Sequence, residues 1–283
     1  MERVIAWKDR PLIMGVLNIT PDSFFDGGKY NTTEEAIRHA LSMIDEGADI
    51  IDVGGESTRP FSEPVPIEEE LKRVIPVVEG IRTRSDSIIS IDTYKAKIAR
   101  EACNAGADIV NDISGLSFDR DMADTVCEFG AQTVIMHIKG TPGNMQKDPH
   151  YEDVISEIKA FFRERIEFAQ KHGIVNERII LDPGIGFGKR IQDNLAIIKN
   201  LKVLKELKLP LLIGTSMKSF IGHVTDSPLE ERMEGTLASV AISIWNGADI
   251  VRVHDVKSAR KVVQLVSAIM KAESLPSNDF IGG

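Results

Sequence analysis

Eight times along the 283-residue chain, a short β-branched apolar run ends on a side chain that can do chemistry. Residues 12–17 lead to Asn18, 50–51 to Asp52, 88–91 to Asp92, 109–110 to Asn111, 134–136 to His137 and 179–181 to Asp182. Residues 211–213 lead to Gly214-Thr215-Ser216, and 250–253 carry Arg252 and run into His254. The carboxylates can only accept hydrogen bonds, whereas the amides both donate and accept. Arg252 and His254 flank Val253, so strand alternation turns both to one side. No Ser/His/Asp or Cys/His nucleophile set is evident, and no tight His/Asp/Glu cluster suggests a zinc or iron centre. Two loops add to the inventory. In residues 15–28, Asn18, Asp22, Ser23 and Asp26 alternate with Phe24 and Phe25. Residues 52–60 are glycine- and hydroxyl-rich, are expected to be flexible, and end on Arg59-Pro60. Loops of this length between strand and helix more often serve function than simple connection.

Continuous apolar runs read as parallel strands buried on both faces. Between them lie amphipathic helices, with Ile37, Ala40, Leu41 and Ile44 at i, i+3, i+4, i+7 spacing. Leu237, Val240, Ala241 and Ile244 repeat the pattern, as do Ala259, Val262, Val263 and Val266. Thr32 with Glu35 has capping-box spacing, and Ser227-Pro228 marks another helix start. Gly47, Gly106, Gly130 and Gly247 stand where left-handed C-caps belong. A Gly-Ala-Asp-Ile phrase recurs at residues 47, 106 and 247, each time a helix stop followed by a strand entry. Eight such alternations predict an α/β fold, a (β/α)8 TIM barrel in a single domain over residues 1–273. A doubly wound open sheet is the alternative, but its nucleotide fingerprint is missing. Residues 1–10 are expected to cap the barrel bottom, and 274–283 to form a mobile tail.

A formal charge of −9 argues against nucleic acid or an anionic membrane as the main partner. No run approaches the length of a membrane span, and residues 1–15 lack the apolar core of a signal peptide. Cys103 and Cys127 lie in helical stretches without metal-type spacing and are expected to be buried, reduced thiols of a cytoplasmic protein.

Five motifs in order carry a specific resemblance. They are residues 17–24 (LNITPDSF), 54–60 (GGESTRP), 182–188 (DPGIGFG), 218–222 (KSFIG) and 252–255 (RVHD). Over Pro11 to Lys271 the chain resembles the dihydropteroate synthase family. The resemblance implies a (β/α)8 barrel, usually a homodimer. It also implies a reaction in folate biosynthesis that joins p-aminobenzoate to a dihydropterin methyl pyrophosphate, with Mg2+ as cofactor.

The residues make sense of that reaction. Asp182, Asn111 and Asp92 suit the donors and acceptors of a pterin edge, and Lys218 its carbonyl and ring nitrogen. Met136, Gly186 and Phe187 would border the flat ring. Arg252, His254, Arg59 and Thr58 suit the diphosphate, for which an arginine fork makes bidentate bonds. Asn18 is the expected Mg2+ ligand, with Asp22 as second participant, since magnesium needs few protein oxygens beside substrate phosphates. Family counterparts of Phe24, Pro60, Phe187 and Ser219 shape an aminobenzoate pocket. The implied chemistry is loss of pyrophosphate, stabilised by metal and cations, followed by arylamine attack on a cation-like pterin methylene. Asp22 or Asp26 would offer negative charge nearby. Asp22, Asp26, Lys218 and Arg252 are thus the catalytic candidates.

Residues 184–188 mimic a dinucleotide fingerprint but place the third glycine one residue early, and Gly188-Lys189 lacks P-loop spacing. His39 and His172 read as ordinary helix residues. Met217, Phe61 and Phe25 depart from the commonest family pattern, and Met217 removes a possible cation. Two rival readings remain: a pterin-binding methyltransferase, which has no use for a diphosphate grip, and a non-catalytic pterin-binding scaffold, which would tolerate damaged loops.

Overall fold

An apolar run with no polar face can be satisfied only by burial on both sides, and all eight runs are strands of one parallel sheet. The computed structural model describes residues 5, 9–19, 29–58 and 62–272, with backbone only for 29–32. The strands are β1 (Leu12–Asn18), β2 (Ile50–Gly54), β3 (Ile88–Asp92), β4 (Ile109–Asp112), β5 (Gln132–Met136), β6 (Ile179–Asp182), β7 (Leu212–Ile213) and β8 (Ile250–Val253). They pair in the order β6-β5-β4-β3-β2-β1-β8-β7. A parallel bridge between Leu181 and Leu211 joins the two ends, supported by the Leu181 N–H donating to Pro210 O at 2.9 Å. The sheet is therefore a (β/α)8 barrel, and the doubly wound alternative is excluded.

The helices are α1 (Lys29–Glu46), α2 (Ile67–Arg82), α3 (Ala96–Ala105), α4 (Met122–Phe129), α5 (Val154–Lys171), α6 (Ile191–Lys199), α7 (Leu201–Leu204), α8 (Ser219–Thr225), α9 (Met233–Trp245) and α10 (Val256–Lys271). Gly106 and Gly130 cap α3 and α4 at φ +111° and +58°. Three local expectations need correction. Helix α1 begins at Lys29, so Thr32 lies inside it; no proline or glycine between them stops the helix. Pro228 leads only a short 3-10 turn, Leu229–Glu231, and Arg232 leaves helical geometry before α9 starts at Met233. Cys127 is exposed, because the buried side of α4 is formed by Met122, Ala123 and Val126. Cys103 is half-buried, and neither forms a disulfide.

Period-two alternation divides the apolar residues into two cores. One lies between barrel and helices; the other fills the barrel with Leu12, Met14, Ile50, Ile109, Val134, Ile180, Leu212 and Ile250. Ile5 plugs the lower end, its N–H donating to Gln132 Oε1 at 3.0 Å. Stepping two residues up from the inward positions gives Asp52, Asn111, Met136, Asp182, Gly214 and Arg252. The same alternation that builds the interior thus delivers polar groups to its upper rim.

Candidate active site

Strand register sets the site's level. Asn18, Gly54, Asp92 and Asn111 are successive Cα partners across β1 to β4, and Met136 partners Asp182 across β5 and β6. Gly54 keeps this level open. A Cβ there would lie 3.7 Å from both Asn18 Oδ1 and Asp92 Oδ2.

Arg252 reaches across the mouth from β8. Its Nε donates to Asp52 Oδ2 at 2.6 Å and its Nη2 to Asp92 Oδ2 at 2.7 Å. Asn111 Nδ2 donates to the same Asp52 oxygen at 3.1 Å. Burial opposes the Arg252 charge, but Asp52 and Asp92 outweigh it and hold the guanidinium above its usual range. Burial raises Asp92 to about 7; Arg252 opposes the rise, and Asp52, Glu70 and Asp112 add to it.

The loop after β6 completes the opposite wall. Gly184 (φ +70°) and Gly188 (φ +63°) run against the β5 exit so closely that a Cβ would stand 2.1 Å from His137 O and 2.3 Å from Lys139 O. Asp182 Oδ1 accepts from the Gly184 N–H at 2.7 Å, and the Tyr151 hydroxyl donates to Gly188 O at 2.7 Å. Lys218 Nζ lies 4.4 Å from the Phe187 ring centroid, a cation–π contact. Burial lifts Asp182 to about 6 against the Gly184 N–H and the Lys218, Arg252 and Lys189 charges. Burial and the Arg252 charge bring Lys218 down to about 8, opposed by Asp182 and Asp92.

Asp92, Asn111, Asp182, Lys218 and Arg252 therefore gather at one rim. Met136 is buried, and its Cγ lies 3.3 Å from the Cβ position of Gly184. His254 is exposed beside Ser216, with Oγ to Nδ1 at 3.0 Å; Ser219 is exposed at the start of α8, and Thr58 is half-buried. Asp22, Phe24, Phe25, Asp26, Arg59, Pro60 and Phe61 lie outside the described residues.

Other expectations shift. His137 turns away from the rim and packs edge-on against Phe161 at 4.9 Å, with burial first and nearby lysines second lowering it to about 2. The second loop is tied down within its described part. Glu56 accepts from the Val65 N–H at 2.7 Å, the Tyr94 hydroxyl at 2.6 Å and Lys95 Nζ at 2.6 Å. Met217, at φ +59°, faces α9, where the Thr236 hydroxyl lies 3.8 Å from its sulfur.

Sequence reasoning missed Lys189, which is buried with Nζ bonded to His137 Nδ1 (3.0 Å), His137 O (3.2 Å) and Phe187 O (2.9 Å). Its only sequence signal was a lysine directly after the glycine-rich loop. A cavity of about 380 Å³, lined by Cys127, Phe129, Ala131, Val175 and Arg178, lies at the opposite end of β5 and contains none of these groups.

The profile of a family described as "Pterin binding enzyme" matches residues 14–254. The dihydropteroate synthase of Synechocystis is 46% identical over 271 residues, covering 95% of this chain and 94% of that protein. The chain belongs to the dihydropteroate synthase family. The Bacillus subtilis relative is 46% identical over 266 residues, covering 94% of this chain and 91% of its own length. A Yersinia pestis dihydropteroate synthase solved with a sulfonamide drug superposes with TM-score 0.90 at 41% identity, covering 96% of this chain and 99% of that one. A Xanthomonas albilineans dihydropteroate synthase in complex with 7,8-dihydropteroate gives 0.85 at 39%, covering 94% and 95%. Membership sets aside both rivals, the methyltransferase and the scaffold.

Proposed function

We propose that the chain condenses p-aminobenzoate with (7,8-dihydropterin-6-yl)methyl diphosphate to give 7,8-dihydropteroate and pyrophosphate. The observation that carries this reading is the convergence of acceptors (Asp92, Asn111, Asp182) and cations (Lys218, Arg252) on one rim of the barrel. A pterin edge needs the first set and a diphosphate the second. Asp182 accepts from the aminopyrimidinone N–H groups, with Asn111 and Asp92 beside it, and Lys218 donates to the ring carbonyl. Met136 and Phe187 border the ring. Arg252 is already half-spent on two carboxylates; its Nη1 makes no bond among the described residues and remains for an anion. His254, Thr58 and Arg59 complete the diphosphate grip. Phe24, Pro60, Phe187 and Ser219 shape the aminobenzoate pocket, and Asp22 or Asp26 sets negative charge near the reacting methylene.

Asn18 fits Mg2+, because its amide oxygen is a hard donor that faces the space beside Gly54 at the strand exits, with Asp22 as the second participant. When bound, the ion offsets charge on the leaving pyrophosphate. The homodimer draws support from exposed apolar residues on adjacent helices, Ile242 and Trp245 of α9 and Leu265 and Ile269 of α10. Among the described residues no helix is long and apolar enough to cross a membrane, and two free thiols support a cytoplasmic setting.

The test mixes pterin diphosphate, p-aminobenzoate and Mg2+ and follows pyrophosphate. Release that depends on the arylamine is expected. Binding without turnover, or methyl transfer to a corrinoid instead, overturns the assignment.

A further inference from the structure

Asp52 is fully buried within β2 and holds two groups of the rim without itself being assigned to the ligand. Its Oδ2 accepts from Arg252 Nε at 2.6 Å and from Asn111 Nδ2 at 3.1 Å. A side-chain amide is nearly symmetric in shape, so packing alone does not decide which end is oxygen. A carboxylate has no hydrogen to give, so the end of Asn111 that meets Asp52 is the NH2, and the carbonyl Oδ1 is turned away from it. The same oxygen fixes the Nε edge of Arg252 and leaves Nη2 to reach Asp92.

The arrangement is poor if its purpose is only to support the fold. Asp52 Oδ1 is buried without a hydrogen-bond partner among the described residues, and so is Oγ of Ser90, its Cα partner on β3. Two positions earlier on β2, the inward residue is Ile50, which fills the barrel with no polar cost. Apolar residues in place of a buried ion pair are commonly as stable or more so.

We propose that Asp52 is a positioning residue that sets the donor–acceptor polarity of Asn111, and thereby the ring edge the pocket accepts. The inference rests on the pterin reading of Asn111. With Oδ1 turned out, Asn111 favours a ring that offers an N–H at that point and disfavours one that offers a lone pair. Asp52→Leu removes the enforcement at similar volume, because it leaves no acceptor for the Asn111 NH2; an amide at this position would not, since the Arg252 Nε–H would hold its oxygen where Oδ2 now lies.

The probe is 6-hydroxymethyl-7,8-dihydropterin, which has the ring edge but no diphosphate, so the Arg252 grip on phosphate does not enter. Equilibrium binding is measured by fluorescence for wild type, D52L, N111A and the double variant. D52L is expected to bind about tenfold more weakly, the loss of one well-aimed hydrogen bond. N111A should lose a similar factor, and the double variant no more than about twofold beyond N111A, because the two act through one contact. Losses that multiply, or a D52L variant that binds like wild type, overturn the proposal. An N111A variant that binds like wild type instead sinks the Asn111 assignment, and with it this route. If D52L fails to fold by circular dichroism, D52S takes its place in the same cycle.

Discussion

Asp182 lies under three cations and still titrates high, because removing its carboxylate from water costs more than Lys218, Arg252 and Lys189 return. Its folded value stands above the unfolded 3.8, so its stabilising contribution is present below about pH 4 and is lost as pH rises through about 6. Asp182→Asn should therefore be more stable than wild type at pH 7.5, by up to about 3 kcal/mol from about two pKa units. The gap should close toward pH 4, and urea denaturation at the two pH values measures it. Function runs the other way. The proposed pterin recognition needs Asp182 ionised and Lys218 protonated, so kcat/KM for the pterin diphosphate should fall below about pH 6 and above about pH 8. A profile flat from pH 5 to 9 would remove both groups from binding. Arg252→Ala should abolish turnover on the proposed reading. It should also destabilise the fold, since the two carboxylates on its guanidinium would lose that partner in a buried site, at a cost of about 3–5 kcal/mol. Arg252→Lys is the cleaner variant, with turnover lost and the melting temperature much less affected. Asp182, Asn111 and Arg252 were legible in the sequence because each ends or closes an apolar run, and a barrel sends all such positions to one rim. The contact between Arg252 and Asp52 was not, since the partners lie 200 residues apart and only three-dimensional closure brings them together.

Among the elements, the β6–α6 loop shows most directly how backbone geometry makes a pocket wall. Its glycines mimic a nucleotide fingerprint and belong to the 182–188 family motif, in which Gly186 is expected to border the ring. Their use here is to let the loop lie against the β5 exit, at positive φ and at distances no Cβ tolerates. Gly184→Ala should destabilise the protein by about 2–4 kcal/mol and raise the KM for the pterin substrate, since Asp182 and Phe187 ride on this loop. Chemical denaturation and steady-state kinetics check the two effects, and a variant with wild-type stability would contradict the packing described. Tyr151→Phe removes only the hydroxyl on Gly188 O and should cost about 1 kcal/mol. Helix and strand identities were legible from periodicity, and the left-handed stops from their glycines. The starts were less so. Thr32 offered a plausible cap, yet nothing forces a helix to begin at the first good cap, and α1 starts a turn earlier. Lys189 was missed for a related reason: a lysine next to Arg190 reads as solvated until a neighbouring loop closes over it.

At the scale of the molecule, apolar residues that face water on α9 and α10 set the expected assembly. Trp245 is 52% exposed and Leu265 63%, more than a monomer gains from. In the proposed homodimer, Leu265→Glu should shift the protein from dimer toward monomer in sedimentation velocity while leaving the rim residues unaltered; an unchanged dimer would place the interface elsewhere, and a monomeric wild type overturns the proposed assembly. The barrel also has one weak seam. Neighbouring strands elsewhere share registers of two to five residue pairs, but between β6 and β7 a single bridge does the closing, opposite a proline that has no N–H to give. Asp182 sits at the top of one side of this seam and Lys218 follows the other. A molecule that binds both works as a stitch, so amide exchange at Leu181, whose N–H crosses the seam to Pro210 O, should slow on binding more than anywhere else in the sheet.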